Sequence, residues 1–151
     1  MIEEFYDAVV VGGGPAGATA ACDLATAGHS VLLLDRGGRI KPCGGAVPPR
    51  LLEDFAIPDS LLVARARSAR MIAPSDRAVD MPVGEIGFVG MVDRDQFDEW
   101  LRVRAGEAGA TRRKGTFEAI ERDGKPGPLV AYRETRDGPV RKIRTKVVIG
   151  A

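Results

Sequence analysis

Three glycines near the start of the chain have the spacing G-x-G-x-x-G, at Gly12, Gly14 and Gly17. Glycine at the first position permits a tight turn, and at the second it lets the backbone approach a pyrophosphate. At the third it allows a helix to pack closely on a strand, and the amino end of that helix attracts phosphate charge. The spacing predicts a site for a dinucleotide pyrophosphate; the alternative is a glycine turn that binds nothing.

One carboxylate, Asp35, follows Gly17 at roughly the distance typical of dinucleotide sites, about 20 residues. It ends the apolar stretch 29–35. A carboxylate there can accept hydrogen bonds from both ribose hydroxyls of an adenosine, and it would repel a 2′-phosphate. The pattern therefore favours FAD or NAD over NADP.

A second turn-rich stretch, "DRGGRIKPCGGAVPPR", covers residues 35–50 and contains Cys43. A loop that leaves the second strand of a dinucleotide fold can run back toward the cofactor. Gly44 and Gly45 would then let its backbone lie against a flat ring. Cys43 has three interpretations: a packing thiol, a polar contact to a flavin, or a proton source for catalysis. Backbone contact is favoured, and a redox pair is disfavoured because Cys22 is predicted on a helix.

Arg94 lies at the start of the predicted helix "DRDQFDEWLRVRAGEAGA", where Asp93 and Gln96 resemble a capping box. At this end of a helix its guanidinium can fork onto a phosphate or ribityl oxygen. Composition alone favours a solvated surface arginine, because the helix is rich in arginine.

The elements that must position these residues follow from periodicity. Residues 5–11 form a run typical of a buried strand, an alanine-rich helix follows and ends at Gly28, and residues 29–35 form the next strand. Strand, helix and strand make a βαβ unit. Further elements are predicted along the chain: a helix at 48–55, two strands around a turn within 68–82, a strand at 87–92, the helix named above, and strands at 116–122, 129–134 and 140–149.

The composition is that of a soluble domain, with 44% apolar and 28% charged residues among 151. A net charge of +1 gives no overall attraction to nucleic acid, and the basic clusters 112–114 and 141–146 are interpreted as solvated faces. Two cysteines suit neither a disulfide framework nor a zinc site, so no metal is predicted. No apolar run reaches the ~20 residues of a membrane span, and no secretory signal is present, which favours a cytoplasmic location.

Four stretches together resemble the geranylgeranyl reductases: "YDAVVVGGGPAGATAA", "LLLDR", "KPCGGAVPPR" and "GMVDRDQFDEWLRVRA". These reductases are flavoproteins of a wider group that includes aromatic hydroxylases and flavin-dependent halogenases. The stretches "KPCGGAVPPRLLEDFAIPDSLL" and "ARMIAPSDRAVDMP" look like the branch that finishes the tail of bacteriochlorophyll. The resemblance covers essentially the whole chain, and the Lys-Pro-Cys-Gly-Gly loop is far more specific than the glycine spacing.

The resemblance implies an α/β fold: a Rossmann-like FAD-binding domain of the GR2 type, here incomplete over 1–151. The start of an inserted β-rich substrate domain is expected at about 60–92, and the FAD domain resumes with a β-meander over 93–151. The implied activity is an FAD-dependent oxidoreductase that saturates three double bonds of a geranylgeranyl group to give phytyl, on (bacterio)chlorophyll, with NADPH as electron donor.

The resemblance also assigns the cofactor-binding residues by position. The glycine motif would hold the pyrophosphate, Asp35 the adenosine ribose, and Arg94 the flavin, while the backbone at Phe117 would approach the adenine. Cys43 and Gly44 would lie beside the isoalloxazine, and Cys43 is the one candidate for catalysis. The full set is Gly12, Gly14, Ala16, Gly17, Asp35, Arg36, Cys43, Gly44, Arg94 and Phe117.

The chain closes on "KVVIGA", where the family continues with an Asp-Gly whose carboxylate contacts the flavin ribityl chain. An inactive N-terminal fragment of a longer parent enzyme is therefore expected, and the parent would act peripherally at the cytoplasmic face of a photosynthetic membrane. Its substrate would be a geranylgeranylated pigment or another isoprenoid; protein partners are not predicted.

Other functions compete with this interpretation. A reductase of isoprenoid lipids, a flavin-dependent aromatic monooxygenase and a non-enzymatic nucleotide-binding subunit remain alternatives. A halogenase is disfavoured because a single tryptophan cannot form the motif Trp-x-Trp-x-Ile-Pro. An NAD-dependent dehydrogenase would need further alternating strands and helices after Asp35, and short strands follow instead.

Overall fold

A computed structural model describes residues 4–38 and 42–151. Lys41 of the Lys-Pro-Cys-Gly-Gly loop lies outside these described residues. The chain divides into two compact units: unit 1 comprises Met1–Arg39 with Asp98–Ala151, and unit 2 comprises Ile40–Phe97. The segment predicted to begin a substrate domain, about 60–92, falls inside unit 2.

The described residues form eleven strands and three α-helices. The strands are β1 (Phe5–Val11), β2 (Val31–Asp35), β3 (Ala46–Val47), β4 (Leu62–Ala66), β5 (Ser68–Ile72), β6 (Ala78–Pro82), β7 (Val89–Val92), β8 (Thr111–Lys114), β9 (Thr116–Glu121), β10 (Leu129–Arg133) and β11 (Arg141–Gly150). The helices are α1 (Pro15–Thr26), α2 (Pro49–Asp54) and α3 (Arg94–Glu107).

Unit 1 is built on a six-stranded sheet in the order β8-β2-β1-β11-β10-β9. The first four strands are parallel, whereas β10 pairs antiparallel with both β11 and β9. Val11 at the end of β1 is in register with Leu34 on one side and Gly150 on the other. The strand order reverses at β1, and in open α/β sheets ligands bind beyond the carboxyl ends of the strands at such a point.

The core of unit 1 lies between the strands and the helices that cover them. Residues 8–10 of β1 and 31–34 of β2 are all apolar and buried, as expected for parallel strands covered on both faces. In α1, Ala18 and Ala21 are fully buried, which lets the helix lie close to the sheet. The central cluster contains Val9, Leu32, Leu34, Val130, Tyr132 and Ile143.

Unit 2 contains a three-stranded antiparallel sheet in the order β3-β7-β4 and a separate hairpin of β5 and β6. The three-stranded sheet buries Val47 and Val92. Every residue of the hairpin strands is exposed.

The predicted βαβ unit, the short helix, the hairpin, the long helix and the three late strands are confirmed. Four details were wrong. The second strand begins at Val31 rather than at residue 29, and the short strands β3 and β4 were missed. The strand β8 was also missed, because three of its four residues are basic and no apolar alternation marks it.

The basic clusters are not simply solvated faces. Arg113 donates hydrogen bonds to both Glu4 carboxylate oxygens and to the Tyr132 hydroxyl. Arg144 is buried and donates to Asp123 through both terminal nitrogens. Hydropathy cannot distinguish such paired arginines from solvated ones. Among the described residues, no helix has both the length and the apolar character needed to cross a membrane.

A candidate dinucleotide site at the glycine loop

Two of the three motif glycines are required by the backbone of unit 1 itself. Gly12 has φ +110°, and a Cβ there would lie 2.1 Å from the carbonyl oxygen of Ala151. A Cβ on Gly17 would lie 1.9 Å from the carbonyl oxygen of Gly12. The crossing of α1 over the ends of β1 and β11 therefore leaves no room for a side chain at either position.

Gly14 differs from both. It is in an extended conformation, φ −74° and ψ −174°, that any residue can adopt. No described atom lies within 4 Å of a Cβ built at this position, beyond its chain neighbours. The fold therefore does not need glycine at residue 14, whereas a ligand that approaches the backbone closely does.

The amino end of α1 adds donors and positive charge at the same place. Pro15 is the first helical residue, and Ala18 N–H donates to the Gly14 carbonyl at 2.9 Å. The amides of Ala16 and Gly17 precede this first helical hydrogen bond, so they lie at the end of the helix. With neutral residues filling the first turn, the dipole of α1 is available to an anion.

Asp35 organises two loops at the end of β2. Its Oδ2 accepts from Gly13 N–H and its Oδ1 accepts from Gly37 N–H, each at 2.7 Å. Each carboxylate oxygen has a second lone pair, so Asp35 can still accept hydrogen bonds from ribose hydroxyls. Arg36, the next residue, is exposed. Asp35, the carboxylate predicted to bind the ribose, therefore also stabilises the conformation of the glycine loop.

Phe117 lies near the same strand end although β9 and β2 are far apart in sheet order. Gly115, two residues earlier, donates its N–H to the Asp35 carbonyl at 2.9 Å. The Phe117 side chain is 37% exposed and lies opposite Tyr132 on β10. Unit 1 therefore brings together the glycine motif, Asp35 and the start of β9.

The remaining predicted residues belong to unit 2. Cys43 is exposed, and its Sγ accepts from Gly45 N–H at 3.4 Å. Gly45 has φ +69°, and a Cβ there would lie 2.1 Å from the Val92 carbonyl oxygen, so packing on β7 accounts for this glycine. Gly44 has no described atom within 4 Å of a built Cβ beyond its chain neighbours. Arg94 is the first residue of α3 and is half-buried.

Sequence reasoning missed Arg102. From α3 it donates through Nη1 to the Gly13 carbonyl at 3.0 Å and through Nε to Glu99 at 2.9 Å. The Glu99 and Arg102 pair, three residues apart on a helix, was visible in the sequence, but its contact with the loop 89 residues away was not. Within residues 4–38 and 42–151, no cluster of His, Cys, Asp and Glu side chains forms a metal site.

Comparison with known proteins agrees with this geometry. A family model described as an NAD(P)-binding Rossmann-like domain matches residues 10–55. Over 147 residues the chain is 64% identical to the geranylgeranyl diphosphate reductase of Rhodobacter capsulatus, across 97% of this chain and 37% of that reductase. The chain is therefore homologous to part of that enzyme. It spans 32–39% of the length of the curated relatives that it matches.

Solved structures show the same fold. A geranylgeranyl bacteriochlorophyll reductase-like protein of Thermoplasma acidophilum superposes with a TM-score of 0.82 at 26% identity, over 98% of this chain and 39% of that one. A myxobacterial chondrochloren halogenase, described as a variant of FAD-dependent halogenases, gives 0.81 at 24% identity, over 98% and 37%. The predicted Rossmann-like α/β fold is confirmed, and the halogenase likeness concerns the fold alone.

Proposed function

We propose that the natural protein carrying this chain is an FAD-dependent reductase of the geranylgeranyl group. It saturates the carbon–carbon double bonds that distinguish geranylgeranyl from phytyl. The observation that carries this proposal is the 64% identity to a geranylgeranyl diphosphate reductase along nearly the whole chain. The open backbone at Gly14 supports it from the structure, because a dinucleotide cofactor accounts for a glycine that the fold does not require.

Residues of unit 1 would hold the adenosine diphosphate half of FAD. The amides of Gly14, Ala16 and Gly17 at the amino end of α1 suit the pyrophosphate, and Gly12 permits the turn into that helix. Asp35 suits the ribose, Arg36 lies next to it, and the backbone at Phe117 is proposed to approach the adenine. When bound and reduced by the electron donor, the flavin would supply the hydride that an alkene must accept.

Residues of unit 2 are proposed for the flavin half. Arg94 would donate to the flavin, and the exposed loop at Cys43 and Gly44 would lie beside the ring. Hydride addition to an unactivated alkene needs a proton at the neighbouring carbon. Cys43 is the candidate donor that the sequence offers, and replacing it with alanine tests whether the thiol takes part.

NADPH is proposed as the electron donor and a geranylgeranylated (bacterio)chlorophyll as the substrate. Asp35 disfavours a 2′-phosphate, so NADPH would deliver electrons without occupying the glycine-loop site. A pigment substrate is held in membranes, and we therefore propose a peripheral position on the cytoplasmic face of the photosynthetic membrane. The runner-up substrate is an isoprenoid lipid.

The test is an anaerobic assay of the full-length natural protein with NADPH and, separately, geranylgeranyl bacteriochlorophyll, geranylgeranyl diphosphate and an archaeal-type geranylgeranylated lipid. The proposal predicts flavin reduction followed by the gain of two hydrogen atoms per double bond on the pigment, read by mass spectrometry. Saturation of the lipid alone would select the runner-up. NADPH oxidation that requires oxygen and an aromatic substrate would instead identify a monooxygenase and contradict the proposal.

A further inference from the structure

Arg102 links α3 to the glycine loop inside unit 1. Its Nη1 donates to the Gly13 carbonyl at 3.0 Å and its Nε to Glu99 Oε2 at 2.9 Å. The Arg102 side chain is only 23% exposed, so it lies against the protein rather than in water. Because the guanidinium is planar, two fixed partners on different edges set its orientation.

Gly13 is held from the other side by Asp35. Its N–H donates to Asp35 Oδ2 at 2.7 Å, and a Cβ on Gly13 would lie 2.9 Å from the Asp35 Cβ and Cγ. The peptide that joins Gly13 to Gly14 is trans. In a planar trans peptide the N–H points opposite to the carbonyl, so the contact with Arg102 also sets the direction of Gly14 N–H.

A second arginine holds Arg102 in place through Glu99. Arg112 on β8 donates from Nη2 to Glu99 Oε1 at 2.7 Å. Hydrogen bonds from Arg112 first, and also from Arg102, hold the pKa of Glu99 below its usual value although burial opposes them. Arg102, Arg112 and Glu99 together carry a net charge of +1, which offsets the Asp35 carboxylate on the other side of Gly13.

We propose that Arg102 is a positioning residue of the dinucleotide site. It orients the Gly13–Gly14 peptide so that Gly14 N–H is directed at the pyrophosphate, while Glu99 and Arg112 fix its own side chain. This inference rests on the proposed FAD site. Arg102 acts through the backbone, and no contact between its side chain and the cofactor is needed.

The test measures FAD binding by the full-length natural protein after its flavin has been removed, with flavin fluorescence as the signal. R102M should bind FAD about tenfold more weakly, because a charge-assisted hydrogen bond that orders the loop is lost. R102K should recover part of this loss, since an ammonium can donate to Gly13 but lacks the planar fork. The control R141M removes an exposed arginine at the start of β11, where it pairs with Glu134. This variant should bind FAD as the wild type does.

Two further measurements distinguish a positioning role of Arg102 from a role in stability alone: the phosphorus NMR signal of bound FAD and the folding of the flavin-free protein. Phosphorus NMR of bound FAD should show a shifted pyrophosphate signal in R102M and an unshifted one in R141M. The flavin-free R102M should keep the wild-type circular dichroism spectrum and melt only slightly below the wild type. Unchanged affinity with an unshifted signal would overturn the proposal. So would weaker FAD binding by a flavin-free R102M that has lost the wild-type spectrum.

Failure of the proposed function would be recognised separately. If the wild type takes up no FAD, the cofactor assignment is wrong, and ADP becomes the probe of the glycine loop. R102M should then bind ADP more weakly than the wild type. Equal binding by the two proteins, or none by either, would overturn the role of Arg102.

Discussion

The sheet of unit 1 buries its apolar side chains, whereas the hairpin of unit 2 exposes them to solvent. In unit 1, Val9 and Leu32 are completely buried between strands and helices. In the β5–β6 hairpin, Met71, Ile72 and Val79 are each at least 60% exposed. Burial of apolar surface is the main favourable term in folding, so the sheet of unit 1 contributes strongly to the stability of this chain and the hairpin contributes little.

Both units nevertheless contain a glycine that backbone packing requires and, close to it in sequence, a glycine with open space around it. In unit 1 the glycine that packing requires, Gly17, is accompanied by an open one, Gly14; in unit 2 the required Gly45 is accompanied by the open Gly44. A glycine forced by its own backbone says nothing about a ligand. An open one in a conformation that any residue can adopt indicates close approach by something else. The comparison therefore separates structural glycines from candidate binding glycines inside one motif.

The largest effect is expected in the core of unit 1. Replacing Leu32 with alanine should lower the free energy of unfolding by about 2–5 kcal/mol, because a fully buried leucine leaves a cavity. Urea unfolding of the chain followed by circular dichroism measures this change. A loss below about 0.5 kcal/mol, the size typical of surface positions, would contradict the account of where stability resides.

A smaller loss of stability should distinguish two glycines of the glycine motif. Gly17→Ala should cost about 1–3 kcal/mol, since its Cβ would overlap the Gly12 carbonyl and force α1 away from β1. Gly14→Ala is the matched control, with open space around its Cβ, and should cost about 0.5 kcal/mol, because alanine is a poorer helix cap than glycine. Equal losses in the two variants, read from the same urea curves, would remove the distinction.

The next effect depends on pH and concerns the loop before β10. The hydrogen bond from the buried Arg144 holds the pKa of Asp123 below its usual value, although desolvation opposes it. The stabilisation from this pair is therefore complete above about pH 4 and is lost as the pH falls through the lowered pKa of the folded state. Asp123→Asn should flatten the acid side of a plot of unfolding free energy against pH. An unchanged slope would show that the pair contributes no pH dependence.

The smallest effect is expected in the hairpin. Met71→Ser should change the free energy of unfolding of this chain by less than about 0.5 kcal/mol, because the side chain is already 60% exposed. The same variant should also bind less of a dye that recognises apolar surface. A loss comparable with that of the Leu32 variant would mean that the hairpin is part of a core.

Much of unit 1 could be predicted from the sequence because its signals are local. The glycine spacing, the apolar runs on either side and Asp35 at the end of the second run lie within a few tens of residues of one another. The strand β8 could not be predicted, since Arg112 and Arg113 give it no apolar pattern and parallel pairing with β2 determines its conformation.

The contacts of the site were harder to predict than its residues. The role of Arg102 depends on how α3 packs against a loop at the other end of the chain, and no local pattern encodes that distance. Similarly, from the sequence alone Gly44 and Gly45 had the same interpretation, as glycines whose backbone could lie against a flat ring. The structure separates them, because β7 lies against Gly45 and not against Gly44.

The most direct measurement is the FAD affinity of Gly14→Ala in the full-length natural protein, taken together with its melting temperature after flavin removal. This variant should fold like the wild type and lose most of its bound FAD, because its methyl group would occupy space that the fold leaves open for the pyrophosphate. Wild-type FAD affinity in a normally folded Gly14→Ala protein would contradict the assignment of the glycine loop as the dinucleotide site.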